Sequence, residues 1–211
     1  EDNKRKYIFR NGSKHKFEQL EIDLKQKFIE FYSKIAYETS LLSYATKLKV
    51  GAILVKDDNI ISFGYNGTAP GKDNNCEDKV IIEDPVKIEY LKWLMNNDAI
   101  SPYFFDNGIS FRRTYRTGHQ SYTYEFYQLV TKPEVIHAEH NCLSKVAKSN
   151  NSSQGATMFL THSPCFQCSK NILLSGISSV YYNNEYRSLD GVKYLNDHGV
   201  ECKESGGVII K

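Results

Sequence analysis

The sequence predicts an α/β fold on a mixed sheet, and two observations carry that expectation. An apolar run, Lys49 to Val55, turns over Asp57, Asp58 and Asn59 into a second extended run, Ile60 to Gly64, which makes an antiparallel hairpin. From Pro133 onward, helical and extended stretches alternate, which calls for a largely parallel arrangement of the later strands with helices on the faces.

The elements follow in chain order. Residues 1–16 are polar and basic and read as an N-terminal arm, leaving 17–211 as a single domain. Between Phe17 and Leu42 the apolar positions Leu20, Ile22, Phe28, Phe31, Ile35 and Leu42 recur at mostly helical spacing, giving one long amphipathic helix. After the hairpin, Gly64 to Gly71 reads GYNGTAPG, a loop rich in residues that allow close backbone approach. Asp84 to Asn97 has helical periodicity with a proline near its start. Ser101 to Val130 carries many Tyr, Phe and Arg without a clean period, so a segment at about 80–130 is expected to be an insertion. The remainder predicts a helix from about His137 to Ser149, a strand Ala156 to Thr161, a helix Cys165 to Ser175, a strand Ser178 to Tyr182, a helix Ser188 to His198 and a short strand near Val200.

Bulk properties narrow the function classes. The chain has 211 residues and a formal net charge of only +2, so it lacks the strongly basic balance of a protein that grips nucleic acid through phosphates. A small charged substrate fits better. No apolar run approaches a membrane span, and the charged start is not that of a secretory leader, so a cytoplasmic protein is expected. Five cysteines, two of them three residues apart beside a proline, suit a metal or redox pair in a reduced compartment.

Two short motifs carry the chemistry: H-A-E at His137, Ala138 and Glu139, and P-C-F-Q-C from Pro164 to Cys168. Either alone says little, because H-x-E is common on helices and C-x-x-C also serves redox sites and zinc ribbons. Together, in this order, they are the signature of zinc nucleobase deaminases. A Cys pair at i and i+3 at a helix start points both sulfurs to one side, where the helix N-terminus favours thiolate. Zinc takes two thiolates and one imidazole, and three protein ligands, His137, Cys165 and Cys168, leave a fourth position for water. Glu139, two residues beyond His137, is placed as the general acid and base. Cys142 and His140 lie near the motif and are expected to pack or face solvent.

The chain resembles deoxycytidylate (dCMP) deaminases, most closely the phage-type members of the cytidine deaminase-like zinc superfamily. The resemblance rests on KVGAILV at Lys49 to Val55 joined to GYNGT at Gly64 to Thr68, on EVIHAEHN at Glu134 to Asn141, on GATMFLTHSPCFQCSKNILLSG at Gly155 to Gly176, and on VYYNNEYR at Val180 to Arg187. It implies a three-layer αβα sandwich around a five-stranded mixed sheet, and hydrolysis of dCMP to dUMP and ammonia, supplying thymidylate synthesis. It implies one catalytic Zn2+ per subunit, with Asn66 at the sugar or base, the backbone at Ala138 and Ser163 framing the pyrimidine, and Tyr186 at the nucleotide. Lys49, Thr68 and Lys132 are the candidate phosphate donors nearest these motifs. It further implies a homohexamer activated by dCTP and inhibited by dTTP, with Gly67, Asp73, Asn74 and Glu77 at an effector site that could include Mg2+. Phage relatives with a second, structural zinc use cysteines in this loop and on the first helix, whereas here Cys76 has no evident partners.

Two alternatives stay open on sequence grounds: a tRNA or single-stranded polynucleotide deaminase, and a non-catalytic zinc-stabilised interaction module. Tyr115, Tyr122, Tyr124, Phe126 and Tyr127, with Arg112, Arg113 and Arg116, could form a stacking platform for single strands. Packing of an interface or of the sheet is the preferred role for them.

Overall fold

The structure is a computed structural model that describes residues 11–96, 109–114 and 123–206. In chain order it comprises α1 (Asn11–Ser40), β1 (Gly51–Lys56), β2 (Asn59–Tyr65), β3 (Glu77–Ile81), α2 (Pro85–Asn96), β4 (Ile109–Thr114), β5 (Thr123–Thr131), α3 (Ala138–Ala147), β6 (Thr157–His162), α4 (Phe166–Leu174), β7 (Ser179–Asn184), α5 (Asp190–Asp197) and β8 (Glu201–Glu204). No helix among the described residues is long and apolar enough to cross a membrane.

The central sheet has the order β2-β1-β6-β7-β8. β1 pairs antiparallel with both β2 and β6, while β6, β7 and β8 run parallel. The expected mixed sheet is therefore present. Its hairpin closes on Asp57 and Asp58, whose φ angles of 49° and 58° give the left-handed pair of a type I′ turn. Short Asp side chains tolerate that conformation, which is why Asp-Asp-Asn could be read as a turn.

Both faces of the sheet are covered, so its strands read as continuous apolar runs rather than alternating ones. Ile53, Val55, Phe159 and Tyr181 point to α1 and meet Ile29, Tyr32 and Ala36. Ala52, Leu54, Met158, Leu160, Val180 and Tyr182 point the other way and pack on Ala138, Cys142, Ile172 and Leu195 of α3, α4 and α5. The alternation of neighbouring residues between two cores is the three-layer αβα sandwich.

Two sequence expectations for α1 are corrected. The polar arm does not extend to residue 16, because the helix already begins at Asn11; residues 1–10 lie outside the described part. Positions 11 to 16, NGSKHK, contain no proline, and the weak helix formers Asn11, Gly12, Ser13 and His15 each cost about 1 kcal/mol or less. The buried stripe also differs, for Phe28, Phe31 and Leu42 are exposed while Ile29, Tyr32 and Ala36 are buried. Helical spacing alone identified a helix but not which of two apolar stripes faces the sheet.

β3, β5 and β4 form a second, antiparallel sheet in that order, with α2 between β3 and β4 in the chain. α2 starts as predicted: Pro85 is its first residue and the Asp84 carboxylate accepts the Val86 N–H at 3.0 Å. The strands themselves were not predicted, because Tyr, Phe and Arg on strands paired only with each other leave no two-residue apolar pattern. Tyr115, Arg116 and Tyr122 lie outside the described residues, as do the side chains of Arg112, Arg113, Tyr124 and Phe126. Tyr127 carries the Lys79 ammonium 4.8 Å above its ring centroid.

Candidate metal centre and substrate pocket

Two helix starts converge beside the C-terminal end of β6, the middle strand of the central sheet. His137 and Cys165 occupy the N-cap positions of α3 and α4, both extended in backbone and neither using its side chain to cap the helix. The imidazole and thiol are thus free to turn toward each other. Cys168 follows on the first turn of α4 and is fully buried. The Cys168 and Cys165 sulfurs lie 3.3 Å and 3.7 Å from His137 Nδ1, and the three ligand atoms all fall within 4.8 Å of one another. Zinc bonds of about 2.3 Å to sulfur and 2.0–2.1 Å to nitrogen at tetrahedral angles imply a nitrogen–sulfur edge of about 3.5 Å, so the donor set fits zinc.

The electrostatics agree with a cation site. The Cys165 thiol is lowered to about 3, first because Cys168 donates a hydrogen bond to its thiolate and then because His137 is adjacent. Cys168 is pushed up because it is that donor and is buried. His137 is raised by its hydrogen bond with Cys165. One thiolate, one thiol and a proton-rich imidazole in such a small volume are what metal-free zinc ligands present. Glu139, on the first turn of α3, is buried, and desolvation raises its carboxyl above the usual range. His140 contacts Asn171, and Cys142 is sealed in the core, its thiol raised to about 11 by burial. Among the described residues His137, Cys165 and Cys168 form the sole group of three or more potential ligands, which leaves a fourth position to water or substrate.

The loop carrying Cys165 is held by an adjacent backbone. A Cβ on Gly191 at the start of α5 would sit 2.2 Å from the Pro164 carbonyl oxygen. Gly191→Ala must therefore displace the Pro164–Cys165 backbone; a loss of about 1–3 kcal/mol in stability together with weaker zinc binding is expected, read by thermal melting and by chelator competition. On the opposite side, a Cβ at Gly64 would lie 2.3 Å from the Ala138 carbonyl oxygen, so the absence of a side chain lets β2 lie against the start of α3.

Beside the triad lies a cavity of about 350 Å³, within the range of small-molecule sites. His137, Ala138, Glu139, Ser163, Cys165, Asn66 and Tyr186 line it, together with Lys47, Glu77, His162 and Arg187. The cytidine and deoxycytidylate deaminase zinc-binding region, as a sequence family, matches residues 26–184, which include every residue of the triad and Glu139. The chain belongs to this deaminase family. Its relatives include the deoxycytidylate deaminases of Enterobacteria phages T2 and T4. Each is 35% identical to it, over 159 and 163 residues, covering 72% of this chain and 78% and 76% of theirs. The crystal structure of the dCMP deaminase from cyanophage S-TIM5 in complex with dCMP and dUMP is 36% identical, with a TM-score of 0.57 over 83% of this chain and 94% of that one.

Within this deaminase-family pocket, the expected residues divide. Asn66, Ala138, Ser163 and Tyr186 reach it. Asn66 is held on both sides by one backbone segment: its Oδ1 accepts the Val50 N–H and its Nδ2 donates to the Leu48 carbonyl, each at 2.8 Å. That leaves one N–H of its amide for a ligand. Ser163 Oγ accepts the Tyr186 N–H at 2.8 Å, which ties the post-β7 loop to the metal loop.

The expected phosphate donors do not line this cavity. Lys49 is exposed away from it, Lys132 pairs with Asp78 at 3.9 Å, and the Thr68 hydroxyl donates to the Asp73 carbonyl at 2.6 Å. The cations that do line it are Lys47 and Arg187. A bend at Thr46 and Lys47 turns position 47 inward, which proximity to the KVGAILV motif could not reveal. Arg187 ended the matched VYYNNEYR stretch, and His162 adjoins Ser163, so a signal for both was present.

The four expected effector residues also separate. Gly67 and Asn74 border a second cavity of about 270 Å³, which Thr68, Lys72 and Lys145 also line. The Gly67 backbone pairs with Ile136, one residue before His137. Asp73 is exposed and accepts the Asn75 N–H. Glu77 instead lines the first cavity, with its carboxylate on backbone N–H groups. Cys76 lies in a small apolar cluster with Ala45 and Val135.

Proposed function

We propose that this chain is a deoxycytidylate deaminase that converts dCMP and water to dUMP and ammonia. The observation that carries the proposal is the buried Glu139 carboxyl in one cavity with His137 and Cys165 of the metal triad, Cys168 being buried beside them, and with two cations, Lys47 and Arg187. The names of the phage relatives and the nucleotides bound in the cyanophage structure support the same substrate.

Zinc held by His137, Cys165 and Cys168 would supply a Lewis acid that brings the pKa of water toward neutrality. The residues of the chain do the rest. Glu139 takes one proton of the attacking water and returns it to the ring nitrogen, then takes the remaining proton of the added hydroxyl and passes it to the departing amine as the carbon–nitrogen bond breaks; desolvation, which raises its carboxyl, favours the proton-holding form between these transfers. The backbone at Ala138 and Ser163 frames the pyrimidine, and Asn66 offers its remaining N–H to the sugar. Tyr186 borders the nucleotide. Arg187, 5.4 Å from the Tyr186 ring centroid, and Lys47 meet the 5′-phosphate.

Regulation extends the proposal: dCTP would activate and dTTP inhibit through the second cavity, with Asp73 offering a carboxylate to an accompanying Mg2+. Exposed Phe28, Phe31, Leu41 and Leu42 on and after α1 support a homo-oligomer, a hexamer by family resemblance. The five free cysteines, two of them in the triad, support action in a reducing cytoplasm. We assign one zinc per subunit; a metal assay finding two per chain would overturn that.

The zinc-loaded protein incubated with dCMP, and separately with a cytosine-containing single-stranded oligonucleotide, is expected to deaminate dCMP alone, followed by ultraviolet absorbance and ammonia release. Change in the oligonucleotide only would sink the proposal. With dCMP as substrate, added dCTP and dTTP test regulation in the same assay.

A further inference from the structure

The Glu77 carboxylate is buried at the wall of the substrate cavity, where it accepts the N–H of Thr46 at 3.1 and 3.2 Å and that of Lys47 at 3.2 Å. A carboxylate facing an anionic nucleotide would ordinarily repel it, and these backbone donors are what oppose that charge. The segment it holds is gripped a second time, since Lys47 Nζ donates to the Leu129 carbonyl on β5 at 3.2 Å. Glu77 opens β3, and it pairs with Thr131 of β5, so both grips come from the inserted sheet. One step further along, the Leu48 carbonyl and Val50 N–H hold the Asn66 amide. An unbroken series of hydrogen bonds and backbone therefore runs from the insertion to two groups of the nucleotide pocket.

We propose that Glu77 is a positioning residue for substrate binding: its carboxylate fixes the Thr46–Lys47 backbone, and through it the Lys47 ammonium and the Asn66 amide, where they meet the nucleotide. The inference rests on the assignment of this cavity to dCMP. It gives the inserted sheet a task in nucleotide affinity that is separate from the metal chemistry. An apolar side chain at 77 would strip the Thr46 and Lys47 N–H groups of their acceptor, whereas Gln keeps one carbonyl oxygen for them.

The test is steady-state dCMP kinetics of the zinc-loaded wild type, Glu77→Ala and Glu77→Gln, with zinc content and melting temperature measured alongside. Glu77→Ala is expected to raise KM at least about tenfold while kcat stays within about threefold, and Glu77→Gln to return KM to within about threefold of wild type. If the Ala variant does not accumulate folded, Glu77→Asp, whose shorter arm draws the carboxylate away from Thr46 and Lys47, carries the same comparison. A merely structural role would lower melting temperature, zinc content and apparent kcat together and leave KM unchanged; that result, or a Gln variant as impaired in KM as Ala, overturns the proposal. A wild type inert toward dCMP removes the functional assignment and this inference with it, whereas an active wild type with unchanged KM in the Ala variant removes only the clamp.

Discussion

Glu139→Gln is expected to lower dCMP turnover by about 10²–10⁴-fold while the protein keeps its fold and its zinc, because general acid–base catalysis is what the substitution deletes. Gln matches Glu in shape but neither accepts nor returns a proton at any working pH. The metal donors, His137, Cys165 and Cys168, are untouched. Stability supplies a second readout. Burial raises the Glu139 carboxyl, so in the metal-free protein its contribution is fully present below the unfolded carboxyl pKa of about 4.3 and is lost as pH rises through the raised folded value. Near neutral pH the buried charge is a cost that Gln removes, and the metal-free variant is expected to melt no lower than wild type, with its relative advantage growing from acid to neutral pH. Melting temperatures across that range, with turnover and zinc content at one pH, check both parts. Full activity in Glu139→Gln would remove Glu139 from the mechanism.

Cys168→Ser carries the other large effect. Losing a direct ligand is expected to weaken zinc by more than the roughly 10–100-fold that loss of an outer hydrogen-bond partner costs, with turnover lost in parallel. Proton competition has a definite sign. Without metal, His137 keeps its proton to higher pH than an ordinary imidazole because of its bond to Cys165, and Cys168 keeps its own because it donates to Cys165 and is buried. Both must deprotonate to bind zinc, so affinity falls as pH falls, beginning above the ordinary imidazole range. Cys165, lowered to about 3, adds little to that dependence until strongly acid pH. Competition with a chromophoric chelator from about pH 5 to 8 measures the wild-type slope, which is expected to flatten in Cys168→Ser through loss of one competing proton. An unchanged slope and zinc content would exclude Cys168 as a ligand.

Groups whose geometry is local were readable from neighbouring residues. His137, Ala138 and Glu139 lie within one helical turn, and Cys165 and Cys168 within another, so local spacing showed each half of the site, and the known combination of the two motifs joined them into one metal centre with an adjacent carboxyl. The Asp57–Asp58 turn and the order of β6, α4, β7, α5 and β8 were legible for the same reason: turn chemistry and period are written into neighbouring residues. Tertiary structure decided what depends on segments far apart in the chain. Lys47 enters the pocket because Glu77, thirty residues on, and Leu129, eighty-two residues on, hold it there, and proximity to a motif had pointed to Lys49, Thr68 and Lys132 instead. Glu77, expected at an effector site from its loop, instead lines the cavity beside the metal triad. The strands β3, β4 and β5 were hidden because their partners are each other rather than the main sheet, so neither continuous apolar runs nor alternation marks them. Each half of the metal centre is thus set by short-range spacing, whereas the wall of the adjoining cavity is set by contacts that only the folded chain makes.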